Sequence, residues 1–378
     1  MRSKLPDSKL SIFAVMSKLA ADYGALNLSQ GFPDFDTDPA LIQLVTEAMQ
    51  AGHNQYAPLA GNLRLREKIA ELVQELRGKY YNPESEITLT VGASEALYVA
   101  ITAFVHRDDE VIVLKPAYDI YEPSILLQGG VPVPVQLEAP YTHINWDAVA
   151  AAITPKTRML IINNPHNPSG MTFQKADLER LEDLVRGTNI LILSDEVYEH
   201  IVFDNQKHQS VASVPGLAER SLITASFGKT FHTTGWKTGY CLAPKALMHE
   251  FKKVHQNTVF CVHHPTQVAL ATYLEEPRHY LNLSAFYQRK RDVFIEAIAA
   301  SRFQFTPSAG TYFQMLDYSK ITDEPAPAFA ERLTKENGLA SIPVSVFNVN
   351  GKDDQLLRFC FAKEEATLLK AASILNSI

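Results

Sequence analysis

The chain has only 3 cysteines in 378 residues, Cys241, Cys261 and Cys360. An odd number at wide spacing closes no disulfide framework and makes no zinc-ligand pair, so they read as reduced packing residues. Long apolar runs are also missing. No stretch approaches the roughly 18 residues that a membrane-crossing helix requires, which leaves no membrane partner in the reading. Basic charge is scarce. With 35 Lys and Arg against 42 Asp and Glu the formal charge is −7, which disfavours nucleic acid, because phosphate binders concentrate cations on one face. Met1 to Phe13 are polar and basic without the apolar stretch and cleavage site of a secretory signal, so the expected compartment is the cytoplasm. There is no repeat of about 20 to 50 residues, no low-complexity tract and no glycine- or serine-rich linker. Any domain boundary therefore falls within continuous structure.

The fractions of 46% hydrophobic and 20% charged residues are those of a soluble globular protein. The length exceeds a usual single domain and predicts a large domain plus a smaller one. From about residue 40, short β-branched runs at 87–91, 110–114, 158–163, 190–194 and 221–226 alternate with amphipathic runs at 94–105, 175–186 and 247–257. That alternation predicts an α/β layer, a mostly parallel sheet sandwiched by helices. After about residue 280 the pattern becomes smaller and α+β, with strands at 311–316 and 356–361 and helices at 328–337 and 364–375. The expected division is residues 1–39 as an N-terminal segment joining the small domain, 40–279 as the large domain and 280–378 as the small one.

In open parallel sheets ligands bind beyond the carboxyl ends of the strands, so the residues that follow each strand carry the interest. Gly92-Ala93-Ser94 places a glycine between a strand and a helix, where free N–H groups and the helix dipole suit an anion, or simply a tight turn. Tyr118 follows the second strand and can stack on a flat ring or merely pack. Asn167 sits between Pro165 and Pro168, whose fixed φ angles hold a loop in one shape, as in many turns without function. Asp195 ends an apolar run, where a carboxylate is costly unless it meets a cation such as a protonated ring nitrogen; a turn or cap aspartate is the alternative. Tyr198 is three residues on and can offer its hydroxyl to the same ligand. The last cluster runs Ser226-Phe227-Gly228-Lys229-Thr230 to Gly235-Trp236-Lys237-Thr238-Gly239. Most lysines are surface charges, but Lys229 ends an apolar strand, where burial lowers its pKa and frees a neutral amine for imine formation.

Three other motifs fail. Gly228-Lys229-Thr230 would end a nucleotide-binding P-loop, but its first glycine would stand where Ile223 does. Ser226 with Lys229 and Lys237-Thr238-Gly239 match two elements of penicillin-recognising serine enzymes, yet they are nearly adjacent and the S-D-N element is absent. The 12 histidines include His263-His264 but no ligand spacing such as H-E-x-x-H, so no metal is expected.

These five clusters, in this order, resemble the class I aminotransferases of pyridoxal-phosphate fold type I, and the likeness runs from about Asn27 to Lys363. The phrases Asn27-Leu28-Ser29-Gln30-Gly31-Phe32-Pro33-Asp34-Phe35, Asn54-Gln55-Tyr56 and Leu357-Arg358-Phe359-Cys360-Phe361 are similar to the branch that holds the bacterial methionine aminotransferases and the kynurenine aminotransferases. The resemblance implies the cofactor pyridoxal 5′-phosphate, bound by the large domain. Lys229 would hold it as an imine, Asp195 would pair with its ring nitrogen, Asn167 and Tyr198 would bond its ring oxygen, and Tyr118 would stack on the ring. Ala93, Ser94, Ser226 and Lys237 would hold the phosphate, with Tyr56 reaching in from the other subunit of a homodimer with shared active sites. Arg358 would clamp the substrate carboxylate. Many relatives have arginine in the Gly-x-Arg-x-Gly phosphate element where this chain has Lys237; lysine is usual in this branch and grips as a point charge.

The implied reaction moves the amino group of an amino acid to a 2-oxo acid in two half-reactions, with Lys229 as the base and then the acid. Phe13, Gly31 and Tyr56 are the side-chain pocket candidates and favour methionine or aromatic donors, and no second arginine is identifiable for an acidic one. Two rivals remain. One is kynurenine transamination or β-elimination from cysteine conjugates on the same scaffold; the other is a cofactor-sensing regulator, for which residues 1–26 are too few to add a DNA-binding segment.

Overall fold

The computed structural model describes residues 3–6 and 10–378. Residues 1, 2 and 7–9 of the expected N-terminal segment lie outside the described residues.

After a helix at Ile12–Tyr23, strand β1 (Leu26–Asn27) is followed by the strands of the main sheet. These are β2 (Ile87–Thr90), β3 (Glu110–Lys115), β4 (Val131–Gln136), β5 (Thr157–Asn163), β6 (Leu191–Asp195), β7 (Ser221–Ser226) and β8 (Gly239–Leu242). They lie side by side in the order β2-β8-β7-β6-β5-β3-β4. Only β8 runs against its neighbours, β2 and β7. All five strands expected in this region are present, with ends displaced by at most one residue.

Side chains alternate across the pleat and reach two separate apolar layers. Ile112, Leu114, Leu160, Ile162 and Ile192 face one layer with the helices Leu63–Arg77 and Lys175–Val185. Val111, Val113, Met159, Ile161 and Leu193 face the other, against Leu97 and Phe104 of the helix Gly92–Phe104 and Phe251 of the helix Lys245–Thr258. Strands buried on both faces read as continuous β-branched runs, which is why the sequence disclosed them.

Strand β4 was not foreseen, because Val-Pro-Val-Pro-Val reads as a proline-rich connection. It is an edge strand. Val131 and Leu137 donate backbone bonds to the carbonyls of Asp109 and Lys115 beside β3, so the alternate positions Pro132 and Pro134 turn their missing N–H groups to the open side.

A second core joins the C-terminal part of the chain to its beginning. Strands β9 (Phe313–Asp317), β10 (Leu339–Ala340), β11 (Ile342–Pro343) and β12 (Leu356–Cys360) complete the set. The order β11-β12-β9 is antiparallel, whereas β10 pairs in parallel with β1. Met16 and Leu28 share this core with Phe294, Phe329, Phe359 and Leu368, and so do Tyr198, Ile201 and Phe203 from just beyond β6. The two cores thus meet at the carboxyl end of the parallel strands.

Candidate active site

Strands β5, β6 and β7 end together. Asn163 stands opposite Asp195, and Asp195 opposite Thr224, so the loops that carry Asn167, Tyr198 and Lys229 open at one place. The reversed strand β8 adds a corner. Its first residue, Gly239, is opposite both Thr90 of β2 and Ser226 of β7, which brings Gly92, Ser226 and Lys237 together. That approach requires glycine: a Cβ on Gly239 would lie 2.5 Å from the carbonyl oxygen of Ala225 and 3.0 Å from the amide nitrogen of Ala93.

A cavity of about 260 Å³ collects these groups. Its lining includes Phe13, Gly31, Ala93, Ser94, Tyr118, Asn167, Asp195, Tyr198, Ser226, Lys229, Lys237 and Arg358. Of the residues singled out in the sequence, only Tyr56 stands apart. It is 83% exposed, with its ring 5.5 Å from that of Phe260.

The corner suits an anion. Gly92 opens the helix Gly92–Phe104 at φ +68°, and a Cβ there would stand 3.5 Å from Lys237 Nζ, so a side chain would fill the space the ammonium overlooks. Lys237 itself is held at φ 52°. The unpaired N–H groups of a helix start and a fixed ammonium are complementary to phosphate.

Asp195 is buried and receives the Tyr121 hydroxyl on Oδ2 at 2.7 Å and the Val197 N–H on Oδ1 at 3.4 Å. Burial pushes its carboxyl up to about 6, while those two bonds and the Lys229 ammonium work against the rise. Burial also pulls the Lys229 amine down to about 8, with the charges of Lys237 and Arg358 acting in the same direction. Lys229 Nζ donates to the Gly31 carbonyl at 3.3 Å and lies 5.8 Å from the centre of the Tyr198 ring. Burial drives the Tyr198 phenol far above its ordinary range, so it enters any reaction as a neutral hydroxyl.

Arg358 is fully buried on β12. Its Nη1 donates to Asn167 Oδ1 at 2.8 Å, its Nη2 donates to the Ser29 carbonyl at 2.9 Å, and its Nε is buried with no partner among the described residues. The guanidinium lies 3.9 Å from the centre of the Phe313 ring and 5.0 Å from that of Phe13. Asn167 in turn donates its backbone N–H to Asn163 Oδ1 at 2.7 Å.

Sequence reading missed four contributors. Tyr121 lies one helical turn past Tyr118, a spacing that could have marked it. Asn163 is the last residue of its strand, directly before the loop already under inspection. Phe313 and Tyr312, the latter donating its hydroxyl to the Gly31 carbonyl at 2.6 Å, left no local signal, because only the packing of β9 brings them here.

The family described as aminotransferase class I and II matches residues 23–375. The chain is 46% identical over 378 residues to the methionine aminotransferase of Escherichia coli, the match covering 100% of this chain and 98% of that one. It is 35% identical to the kynurenine–oxoglutarate transaminase of Dictyostelium discoideum, covering 96% of this chain and 92% of the relative. A crystal structure from Escherichia coli in which a methionine aminotransferase function was identified superimposes with a TM-score of 0.97 at 46% identity, over 100% of this chain and 99% of that one. The chain belongs to the class I and II aminotransferases.

Proposed function

We propose that this aminotransferase holds pyridoxal 5′-phosphate on Lys229 and takes methionine and aromatic amino acids as donors, as a cytoplasmic homodimer with shared active sites. Its family acts on amino acids and 2-oxo acids and depends in general on that cofactor. The residues fit it. Asp195 offers a buried carboxylate suited to a protonated ring nitrogen, the Gly92 corner offers space and positive charge for a phosphate, and Lys229 lines the same cavity. This convergence in one cavity is the observation that carries the reading.

When bound, the cofactor supplies a protonated ring that takes up the electrons left on the substrate α-carbon. The protein supplies the rest. Asp195 would hold the ring nitrogen protonated by charge, Asn167 and Tyr198 would bond the ring oxygen, and Tyr118 would stack on the ring. Ala93, Ser94, Ser226 and Lys237 would bind the phosphate. Lys229 Nζ, brought down to about 8, reaches its neutral form at a lower pH than an ordinary lysine; it would take the α-proton as a base and then, as an acid, pass it to the cofactor rather than return it to the α-carbon. Arg358 receives the substrate carboxylate in a two-pronged bond, which orients the α-carbon. Among the described residues the cations lining the cavity are Lys229, Lys237 and Arg358, all committed, while Phe13, Phe32 and Phe313 present apolar walls. An apolar or sulfur-containing side chain is therefore favoured over an acidic one.

The names of the two relatives support methionine first and kynurenine beside it. The test is a panel of amino acids against several 2-oxo acids, with Lys229→Ala beside the wild type. Methionine and aromatic donors should lead, and the variant should be inactive and take up no borohydride-fixed label. A panel led by aspartate would overturn the donor assignment. Wild-type protein that stays colourless in the near ultraviolet with added pyridoxal phosphate would overturn the cofactor assignment.

A further inference from the structure

Behind the anion corner, a buried histidine reaches the first turn of the helix Gly92–Phe104. His255, on the helix Lys245–Thr258, is fully buried, and its Nδ1 stands 2.9 Å from Glu95 Oε1. Its Nε2 stands 3.2 Å from the carbonyl oxygen of Leu59. The other carboxylate oxygen, Glu95 Oε2, accepts the backbone N–H of Val91 at 3.1 Å. A carbonyl oxygen can only accept, so Nε2 carries a proton and a second proton lies between Nδ1 and Oε1. On whichever of those two atoms it rests, the pair has no net charge.

An unpaired carboxylate at Glu95 would conflict with the corner beside it. It would sit within one helical turn of the Ala93 and Ser94 N–H groups and repel a phosphate there, in a buried setting where salt screens little. With His255 in place, Glu95 still caps Val91, so the helix start remains bonded, while its charge is cancelled. The histidine also fixes the segment that precedes the helix Leu63–Arg77. Leu59 is its second contact, Ala60 accepts from Leu89 of β2 at 3.0 Å, and Tyr56 lies three residues upstream.

We propose that His255 is a positioning residue for the cofactor phosphate: by neutralising Glu95 and anchoring Leu59 it sets the affinity of the corner formed by Gly92, Ala93, Ser94 and Lys237. This rests on the cofactor reading above.

The experiment measures the dissociation constant of pyridoxal 5′-phosphate from full-length apoenzymes by equilibrium dialysis, with thermal unfolding of the same samples. His255→Leu leaves Glu95 as a bare carboxylate and should weaken binding about tenfold or more. Adding Glu95→Gln to that variant should restore affinity to within about threefold of the wild type, because the offending charge is gone. A purely packing role would lower the unfolding temperature equally in single and double variants and give no such rescue. Should His255→Leu fail to fold, His255→Gln keeps a donor but no compensating charge, and the same rescue by Glu95→Gln is expected. Unchanged affinity in the single variant, or a double variant as weak as the single, overturns the role of His255 alone. A wild type that takes up no cofactor overturns the cofactor reading with it.

Discussion

Tyr121 and Asp195, 74 positions apart in the chain, are joined by a hydrogen bond of 2.7 Å from the tyrosine hydroxyl to Oδ2. Both are buried, so this bond is a main support for the negative charge of a carboxylate that desolvation pushes up to about 6. Tyr121→Phe removes it. A hydrogen bond to a charged group contributes about 1.5–3 kcal/mol, so Asp195 should protonate at a pH about one unit or more higher. The acid limb of kcat/KM against pH should move up by that amount in the variant. An acid limb that stays in place would show that Asp195 is held ionised by other groups.

Arg358 is braced on two sides by Asn167 and Ser29 and from its face by Phe313. A lysine there would lose the planar fork and the stacking, keeping only charge. Arg358→Lys should lower kcat/KM for every amino acid donor by roughly a hundredfold, the scale of a lost two-pronged carboxylate bond. The dissociation constant of the cofactor should stay within about threefold of the wild type. Equal losses in both quantities would place the arginine's role with the cofactor instead.

Lys229 carries a stability cost with a defined sign. Its amine titrates at about 8 in the folded protein against 10.5 for an ordinary lysine, chiefly through burial. Between those values the unfolded chain binds more protons than the folded one, so the stability of the apoenzyme rises with pH across that window. Below it the cost of the buried ammonium is fully present. Lys229→Met should therefore stabilise the apoenzyme at pH 7 by up to about 3 kcal/mol, and this advantage should shrink as pH approaches 10.5. Thermal unfolding of both apoenzymes from pH 7 to 10 measures the difference; a constant gap would contradict the assigned cause.

The parts of the fold that were legible are those whose environment repeats along the chain. Residues 110–114, 158–163 and 221–226 announce buried parallel strands because both of their faces meet apolar layers, so every position asks for a similar side chain. Gly239–Leu242 and Val131–Gln136 were not marked as strands. The first is short and sits inside a cluster read for its glycines and Lys237; the second is a proline-bearing edge, where sheet membership depends on which side is open. The likeness of the five clusters to a known family led to Lys229, Asp195, Asn167 and Lys237, and the cavity brings those four together. Tyr121, Asn163, Phe313 and the His255–Glu95 pair stayed hidden, since each is defined by a partner far along the chain.

Taken alone, the order of residues settled the α/β layering and the strand-end loops where chemistry would gather, because β-branched runs and helix starts are local properties governed by sterics and burial. Tertiary structure alone decided the charges. Whether Asp195 rises to about 6 or Lys229 falls to about 8 depends on how much water is excluded and which dipoles and ions lie within a few ångströms. Those neighbours come from the segments that follow β3, β6 and β7, from Lys237 just before β8 and from β12, and only the folded chain brings them to one place.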